Sequence, residues 1–233
     1  MSVCATLPMR SVVVHERGSR EEEGLVPADH DIEAFLRAVG SGNPTPGGGA
    51  ASAVAAALAA ALAEMVAQFT VDKPAYASVD REMHLVISQT EKLQEELLAL
   101  IEEDERGFAS VSLAYGRPKT TIEEQAARSA AIQQALHTAM QAPLAVMDRG
   151  CRVLALALQV AQSGNRRLAS DAGCSALLGE SAVRSAGLNV LANAVLLQDQ
   201  AASLHAREQV AHYTRQAAAT RRRVMRLVDK ALE

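Results

Sequence analysis

The stretch Asn43-Pro44-Thr45-Pro46-Gly47-Gly48-Gly49 leads at once into the alanine-rich run over residues 50–63. Proline restricts the backbone of this turn, and the three glycines give way to a helix-forming sequence. We predict a tight elbow at a helix N-terminus, where unpaired N–H groups and the helix dipole favour an anionic or carbonyl ligand. The alternative is a close-packed turn that uses glycine only because two backbones touch. No Gly-Lys-Ser/Thr follows the glycines, so the elbow is not a nucleotide P-loop.

The composition favours helices. Hydrophobic residues make up 49% of the 233 residues, but aromatic residues make up only 3%, and tryptophan is absent. A core built from Ala, Leu, Val, Ile and Met suits close-packed helices better than a β-sandwich, which needs more aromatic and β-branched residues. The formal net charge of −4 argues against a general nucleic-acid binder, whose domain is usually basic.

We predict a single all-α domain of about eight helices over residues 29–233, arranged as a long antiparallel bundle, preceded by a mobile tail over residues 1–28. Asp31 is suited to cap the first helix, and Thr121 with Glu124 forms a capping-box pattern further on. The predicted helices cover residues 31–39, 50–69, 79–114, 121–141, 143–161, 170–183, 185–202 and 204–232.

The sequence predicts neither a metal centre nor a cofactor. The three cysteines, Cys4, Cys151 and Cys174, form no metal-spaced pair and no disulfide framework, and the six histidines are equally scattered. The uncharged run over residues 50–63 is too short and too alanine-rich to span a bilayer, and the N-terminus lacks the apolar segment of a signal peptide. We expect a reduced, cytoplasmic protein with no membrane or nucleic-acid partner.

Asp104 interrupts an apolar stripe on the long third helix. The stripe consists of Leu97, Ile101, Phe108 and Val111. Asp104 occupies a position where another apolar residue is expected, and a carboxylate in such a seam is hydrogen-bonded, paired or functional because burying it alone is costly. Asp104 is therefore either a functional carboxylate or a structural residue that caps a helix or pairs with an arginine of a neighbouring helix.

Two asparagines share one face of a hydrophobic helix near the C-terminus. Asn189 and Asn193 are four residues apart, so both amides project from the same side. They are suited to bind a planar, hydrogen-bonding ligand, or to join two helices through a buried polar network. Asp199 follows, but ideal helical geometry places it off that face, so it joins the same site only if the helix bends or another subunit contributes.

The segment over residues 164–173 combines a helix end, a basic pair and a new helix start. Ser170 or Asp171 is suited to cap the new helix, and Asp171 also suits its first turn. Arg166 and Arg167 are either solvated or able to hold a ligand carboxylate.

Taken together, these motifs resemble the formiminotransferase-cyclodeaminase family of folate enzymes. The resemblance covers residues 32–228 and rests on the order and spacing of the elbow, Asp104 with Phe108, residues 164–171, and the pair Asn189 and Asn193 with Asp199. Residues 115–128 are similar to the stand-alone methenyltetrahydrofolate cyclohydrolases within the family. The tail over residues 1–28 is too short for a formiminotransferase domain. Arg167 departs from the asparagine usual there, and Asp72 from the glycine that many members carry.

The resemblance implies a homodimer that binds a folate beside the elbow, without a metal or redox cofactor. Asp104 is the first catalytic candidate and Asp171 the second, with Asn189 and Asn193 orienting the pterin or the water. Lys73, Lys119 or Arg167 would meet the glutamate tail. The substrate-binding candidates are Thr45, Pro46, Gly47, Gly48, Gly49, Lys73, Lys119, Asn165, Arg167, Ser170, Asn189, Asn193 and Asp199.

The implied reaction is hydrolysis of 5,10-methenyltetrahydrofolate to 10-formyltetrahydrofolate. A carboxylate stabilises the amidinium-like substrate and accepts a proton from the attacking water. One alternative is cyclodeamination of 5-formiminotetrahydrofolate with release of ammonia, which uses the same pocket. A second alternative is a non-catalytic folate-binding or assembly protein whose buried polar residues are structural.

Overall fold

Seven α-helices and two short 3₁₀ helices form the part of the chain that the computed structural model describes, residues 32–233. The predicted tail over residues 1–28, Cys4 and the predicted cap Asp31 lie outside these residues. The α-helices are α1 (Ile32–Val39), α2 (Gly48–Gln68), α3 (Asp80–Tyr115), α4 (Ile122–Ala139), α5 (Gln141–Ser163), α6 (Ala169–Ala194) and α7 (Gln200–Leu232). The 3₁₀ helices cover Pro74–Tyr76 and Arg166–Leu168.

Helix α2 lies at the centre of the bundle, packed against α3, α5 and α6. Its alanines are small enough to let the neighbouring backbones approach closely. Ser175 of α6 therefore donates a 2.6 Å hydrogen bond from Oγ directly to the carbonyl oxygen of Ala59. The alanines of α2 that are fully buried are Ala50, Ala53, Ala56, Ala59, Ala60, Ala63 and Ala67.

The neighbouring long helices run antiparallel, as the sequence predicted. The start of α2 lies beside the later part of α6, where Gly48 faces Asn189. The end of α2 lies beside the start of α6, because Asn165 donates from Nδ2 to the carbonyl of Phe69 at 3.1 Å. Each end of the bundle therefore gathers residues that are far apart in the sequence.

The predicted helix break near residue 184 is wrong, and this reduces the predicted count of about eight to seven in the described residues. Helix α6 continues through this region to Ala194 and the chain turns only at residues 195–199. Gly187 resembles a helix-ending glycine, but it permits close packing: a Cβ there would stand 3.1 Å from Val210 and 3.2 Å from Met147. Close approach by α5 and α7, not a turn, explains this glycine.

The capping box predicted for α4 is confirmed, whereas α2 is longer than the uncharged run over residues 50–63 that was predicted to be too short to span a bilayer. Thr121 and Glu124 form the predicted capping box at the start of α4. Helix α2 is the one helix among residues 32–233 that is long and apolar enough to cross a membrane, with a mean hydropathy of 1.9. In this fold 56% of its most apolar window is buried against other helices, which is typical of a core helix.

Candidate active site

The glycine elbow begins α2 without a side-chain cap. Gly47 is the N-cap residue, in an extended conformation, and it makes no side-chain capping hydrogen bond. The first N–H groups of an α-helix lack intrahelical partners. The elbow therefore presents backbone donors of α2 to the space beside it.

That space is a cleft of about 410 Å³, a volume within the range of small-molecule sites. It lies where α2 begins and where α3, α4 and α6 converge. Its lining consists of Pro44, Thr45, Gly47, Gly48, Gly49, Asp104, Phe108, Val111, Leu136, Ala139, Asn189, Ala192, Asn193 and Leu196. Seven of the residues singled out as site candidates in the sequence lie here: Thr45, Gly47, Gly48, Gly49, Asp104, Asn189 and Asn193.

Asp104 of α3 lies against the first turn of α2. Its carboxylate occupies the space that a side chain on Gly49 would fill, since a Cβ there would stand 2.2 Å from Oδ1. Burial raises the pKa of Asp104, the backbone N–H of Ala50 lowers it in part, and nearby Glu105 raises it further. Within the described residues Asp104 forms no ion pair with an arginine, so of the two structural alternatives only the contact with a helix N-terminus, at the backbone N–H of Ala50, is observed.

The apolar stripe around Asp104 is buried only at one end. Leu97 is fully buried, whereas Phe108 is 44% exposed and lines the cleft. Helix α3 instead brings Gly107 against Ala139 of α4, where a Cβ would stand 3.1 Å from the Ala139 Cα. The predicted seam therefore opens into the cleft at Asp104.

Asn189 and Asn193 hold their amides in place through their own helix. Nδ2 of Asn189 donates to the carbonyl of Ser185 at 3.0 Å, and Nδ2 of Asn193 donates to the carbonyl of Asn189 at 2.9 Å. Neither Oδ1 accepts a hydrogen bond from residues 32–233. Both amides line the cleft, so they offer acceptors at defined positions to a bound molecule.

Apolar side chains, here called the apolar wall, form the rest of the cleft lining. No pattern in the sequence marked the contributing residues of α4 and α6 as site residues. The wall consists of Phe108, Val111, Leu136, Ala139, Ala192 and Leu196. A flat molecule with an apolar face and a polar edge fits this division.

The electrostatics of the cleft favour a cation. Asp104 is the one charged residue in its lining, and no lysine or arginine contributes among the residues that the structure describes. A half-buried carboxylate with a raised pKa and no paired cation favours a positively charged ligand and suits proton transfer.

Three further candidates, Pro46, Lys119 and Asp199, lie outside the lining of the cleft. Pro46 lies in a groove between α1 and α3, beside Phe35 and Ile101. Lys119 lies in a pocket on the other side of Leu196. Asp199 caps α7, accepting hydrogen bonds from the N–H groups of Ala201 and Ala202 at 2.9 and 3.1 Å.

Asn165 lies at the opposite end of the bundle, where its hydrogen bonds join three segments. Its backbone N–H donates to Thr70 Oγ1 at 2.9 Å, and its Oδ1 accepts from the N–H of Arg167 at 3.1 Å and from Tyr76 Oη at 3.3 Å. Nearby, Lys73 donates to the carbonyl of Phe69 and lies 5.3 Å from the Phe69 ring centre.

The site candidates at the Asp171 end of α6 do not reach the cleft within one chain. Asp171 and Asn189 are both on α6, separated by about 27 Å at the rise of an α-helix. The residues at the Asp171 end are Lys73, Asn165, Arg167, Ser170 and Asp171. Neither Ser170 nor Asp171 caps α6, whose N-cap residue is Leu168, so the predicted capping role is wrong.

Asp72, at this end of the bundle, replaces the glycine that many family members carry, and its backbone has a conformation that favours glycine. Its φ of 57° lies in the left-handed region that favours glycine, and its N–H donates to Asp80 Oδ1 at 2.8 Å. Asp72, Asp80 and His84 place potential metal-ligand atoms within 4.8 Å of one another. Since they lie away from the cleft and hydrogen-bond among themselves, we assign them no part in its chemistry.

The fold and the cleft define a class: an all-α bundle with an acidic, half-apolar site at the N-terminus of its central helix. The family model described as Formiminotransferase-cyclodeaminase matches residues 31–212. The chain belongs to this family, as its motifs had indicated.

Relatives of two kinds are similar to this chain. A methenyltetrahydrofolate cyclohydrolase of Methylorubrum extorquens is 43% identical over 73% of this chain and 82% of its own length. A formimidoyltransferase-cyclodeaminase of Gallus gallus is 32% identical over 79% of this chain, which spans only 34% of that longer relative. The solved structure of formiminotetrahydrofolate cyclodeaminase from Thermotoga maritima superposes with a TM-score of 0.79 at 30% identity, covering 87% of this chain and 98% of that one.

Proposed function

We propose that this protein is an enzyme of folate one-carbon metabolism that hydrolyses 5,10-methenyltetrahydrofolate to 10-formyltetrahydrofolate. One observation carries the proposal: the cleft combines a single uncompensated carboxylate, Asp104, with an apolar wall for a flat ring. The substrate is a planar, amidinium-like cation, so its charge and shape complement both features. The 43% identity with a methenyltetrahydrofolate cyclohydrolase supports the same reaction.

Asp104 acts first as a general base. The oxygen of a water molecule bonds to the bridging carbon of the cation, and one proton of that water passes to the Asp104 carboxylate. This step gives a neutral carbinolamine. Before it, the same carboxylate stabilises the cation by charge.

Asp104 then acts as a general acid. The bond between the bridging carbon and N5 breaks, N5 takes the proton from Asp104, and the hydroxyl proton leaves to solvent. The products are 10-formyltetrahydrofolate and one proton, so the charge balances. A raised pKa suits a group that must both accept and donate a proton near neutral pH.

The remaining polar groups of the cleft orient the substrate. Oδ1 of Asn189 and of Asn193 accept hydrogen bonds from the N–H groups of the pterin or from the attacking water. The backbone donors of the elbow at Gly48 and Gly49 face a carbonyl of the pterin. No step of this scheme uses a metal or redox cofactor.

We propose further that the protein is a homodimer in the cytoplasm. Asp171 lies about 27 Å along α6 from Asn189, and the other four candidates lie at the same end of the bundle, so only a second subunit would bring these five residues to the cleft. Exposed apolar residues supply material for an interface, among them Leu188 at 69% and Leu113 at 76% exposure. Light scattering tests this point: a mass near twice 24.6 kDa supports it and a monomer contradicts it.

The proposed reaction is tested by adding purified protein to methenyltetrahydrofolate and separating the products by chromatography. Decay of the methenyl absorbance above the buffer rate, with 10-formyltetrahydrofolate as product, supports the hydrolase. Tight binding without turnover would favour a folate-binding or assembly protein instead.

The second candidate is the cyclodeaminase reaction, favoured by the similarity to the Thermotoga maritima enzyme over 87% of this chain. Here N10 attacks the formimino carbon and ammonia leaves, with Asp104 donating a proton to it. Release of ammonia from 5-formiminotetrahydrofolate, with no acceleration of methenyl hydrolysis, would assign this reaction in place of the first.

A further inference from the structure

One turn of α3 lies between two close helix contacts that both border the cleft. Asp104 contacts α2, since a Cβ on Gly49 would stand 2.2 Å from its Oδ1. Three residues later, Gly107 contacts α4, since a Cβ on Gly107 would stand 3.1 Å from the Cα of Ala139. Residues three apart are neighbours on a helix surface, so the two contacts hold the same turn of α3.

The contact at Gly107 joins two backbones. A Cβ on Gly107 would meet the Cα of Ala139 at 3.1 Å, its Cβ at 3.5 Å and its backbone nitrogen at 3.9 Å. By contrast, a Cβ on Gly179 of α6 would meet the side chain of Leu154, at 3.2 Å from Cγ. A side chain can turn aside, but crowding against a backbone displaces the helix, because a packed interior transmits strain.

Ala139 has little freedom to move away from α3. It is the last residue of α4, and α5 begins two residues later at Gln141. The residues around this junction belong to the core, since Met140, Ala142 and Pro143 are all buried. A larger residue at position 107 therefore displaces α3 rather than the end of α4, by a few tenths of an ångström.

Both sides of this contact contribute to the cleft, although Gly107 itself is not part of the lining. Asp104 precedes Gly107 by three residues, Phe108 follows it, and both line the cleft, as does Ala139 of the apolar wall. We propose that Gly107 is a positioning residue, which sets the separation between the Asp104 carboxylate and the apolar wall. The inference rests on the proposed function, because it takes Asp104 to be the base and the wall to hold the substrate ring.

Proton transfer in the proposed reaction depends on this separation. The attacking water must reach both the bridging carbon of a ring that lies on the wall and the carboxylate of Asp104. A misplacement of about 1 Å can cost about 10²-fold in rate. Burial of the ring and its attraction to the carboxylate are less sensitive to such a shift, so we expect the effect to fall on kcat rather than on KM.

The test is Gly107→Ala with 5,10-methenyltetrahydrofolate as substrate. We expect kcat to fall about tenfold with little change in KM, because the displacement is a few tenths of an ångström. Alanine is the better helix former, which offsets part of the strain, so the variant should fold. The matched control is Gly179→Ala, which adds a methyl group at a similar distance from a side chain outside the cleft lining and should keep the wild-type kcat.

A rescue variant makes the test independent of the stability of Gly107→Ala. Gly107→Ala combined with Ala139→Gly removes the methyl group that would lie 3.5 Å from the new Cβ. Its kcat is expected to lie between the values of wild type and Gly107→Ala. If Gly107→Ala does not fold, the double variant decides the matter, and a kcat equal to that of wild type would overturn the positioning role.

Three results with active wild-type protein would overturn the role of Gly107 and leave the hydrolase reaction intact. They are a wild-type kcat in Gly107→Ala, an equal loss of kcat in Gly179→Ala, and a change confined to Tm or to KM. Absence of hydrolysis by wild type would contradict the proposed function and, with it, this role.

Discussion

The carboxylate of Asp104 and the Cα of Gly49 are in direct contact across the α2–α3 interface, so close that a Cβ on Gly49 would stand 2.2 Å from Oδ1. This contact places the one carboxylate of the cleft over the first turn of α2, beside the N–H of Ala50. The glycine elbow therefore provides the space for the Asp104 carboxylate in addition to backbone donors for a bound ligand.

Gly49→Ala is expected to displace Asp104 and lower kcat at least tenfold, because the new methyl group and the carboxylate cannot share the same space. Steady-state kinetics with a thermal unfolding curve measures both effects. The matched control is Gly116→Ala at the C-terminal end of α3, the helix that carries Asp104, where φ is −75° and the nearest atom to a Cβ lies at 3.5 Å. Unchanged activity in Gly49→Ala would show that the position of Asp104 is unimportant.

The pH dependence of kcat/KM should follow Asp104. Burial raises the pKa of this carboxyl above the ordinary value of an aspartate, and the general base must be ionised. Activity is therefore expected to fall as the pH drops through this raised pKa. A pH profile that is flat in the acid range, after subtraction of the buffer rate, would contradict this role.

The raised pKa of Asp104 also determines how the stability of the fold changes with pH. A carboxyl group with a raised pKa in the folded state binds its proton more tightly there, so its stabilising contribution is present at low pH and lost as the pH rises through that value. We expect Asp104→Asn to lack this loss and to unfold at the same or a higher temperature than wild type at neutral pH. A large drop in Tm would instead assign Asp104 a structural role.

Asn189→Ala should weaken substrate binding without destabilising the fold. Its amide bonds only to the Ser185 carbonyl of its own helix, so the fold loses little, whereas a substrate loses one hydrogen bond. We expect KM to rise about tenfold, as for a lost hydrogen bond of about 1.4 kcal/mol. Ser185→Ala, which keeps that carbonyl, is the control. A fall in Tm with unchanged KM would assign Asn189 to helix packing.

Asn165→Ala should destabilise the fold, in contrast to Asn189→Ala. Its side chain bonds to Phe69, Tyr76 and Arg167, and removing these bonds is expected to lower the free energy of unfolding by about 2 kcal/mol. Denaturant unfolding measures this. If the protein is a dimer whose subunits share the site, KM for the substrate would rise as well. A rise in KM with an unchanged free energy of unfolding would contradict the structural role and assign Asn165 to the binding site.

The sequence predicted individual helices and local motifs better than the packing contacts between helices. The glycine elbow, the capping box at Thr121 and the interruption at Asp104 are local patterns, and each has a counterpart in the fold. The predicted break near residue 184 was wrong because α6 continues to Ala194, and within it Gly187 permits close helix packing. A glycine in such a run becomes distinguishable only when its neighbours in space are known.

The predicted site residues lie at two opposite ends of the bundle, and the sequence did not reveal this for a related reason. Polar residues on apolar faces were recognisable in the sequence, but which helix ends meet depends on the antiparallel order of α2 and α6. That order brings Gly48 to Asn189 and takes Asn165 to the other end, beside Phe69. The apolar wall at Leu136 and Leu196 was not recognisable, because a residue that lines a cleft follows the same periodicity as one in the core.

The most direct measurement compares the decay of the methenyltetrahydrofolate absorbance with wild-type protein and with Asp104→Asn, after titration shows that both bind the folate. We predict fast decay with wild type and a rate lower by about 10²-fold or more with the variant, the usual contribution of a general base. Equal rates in the two proteins would contradict the assignment of Asp104 as the catalytic carboxylate.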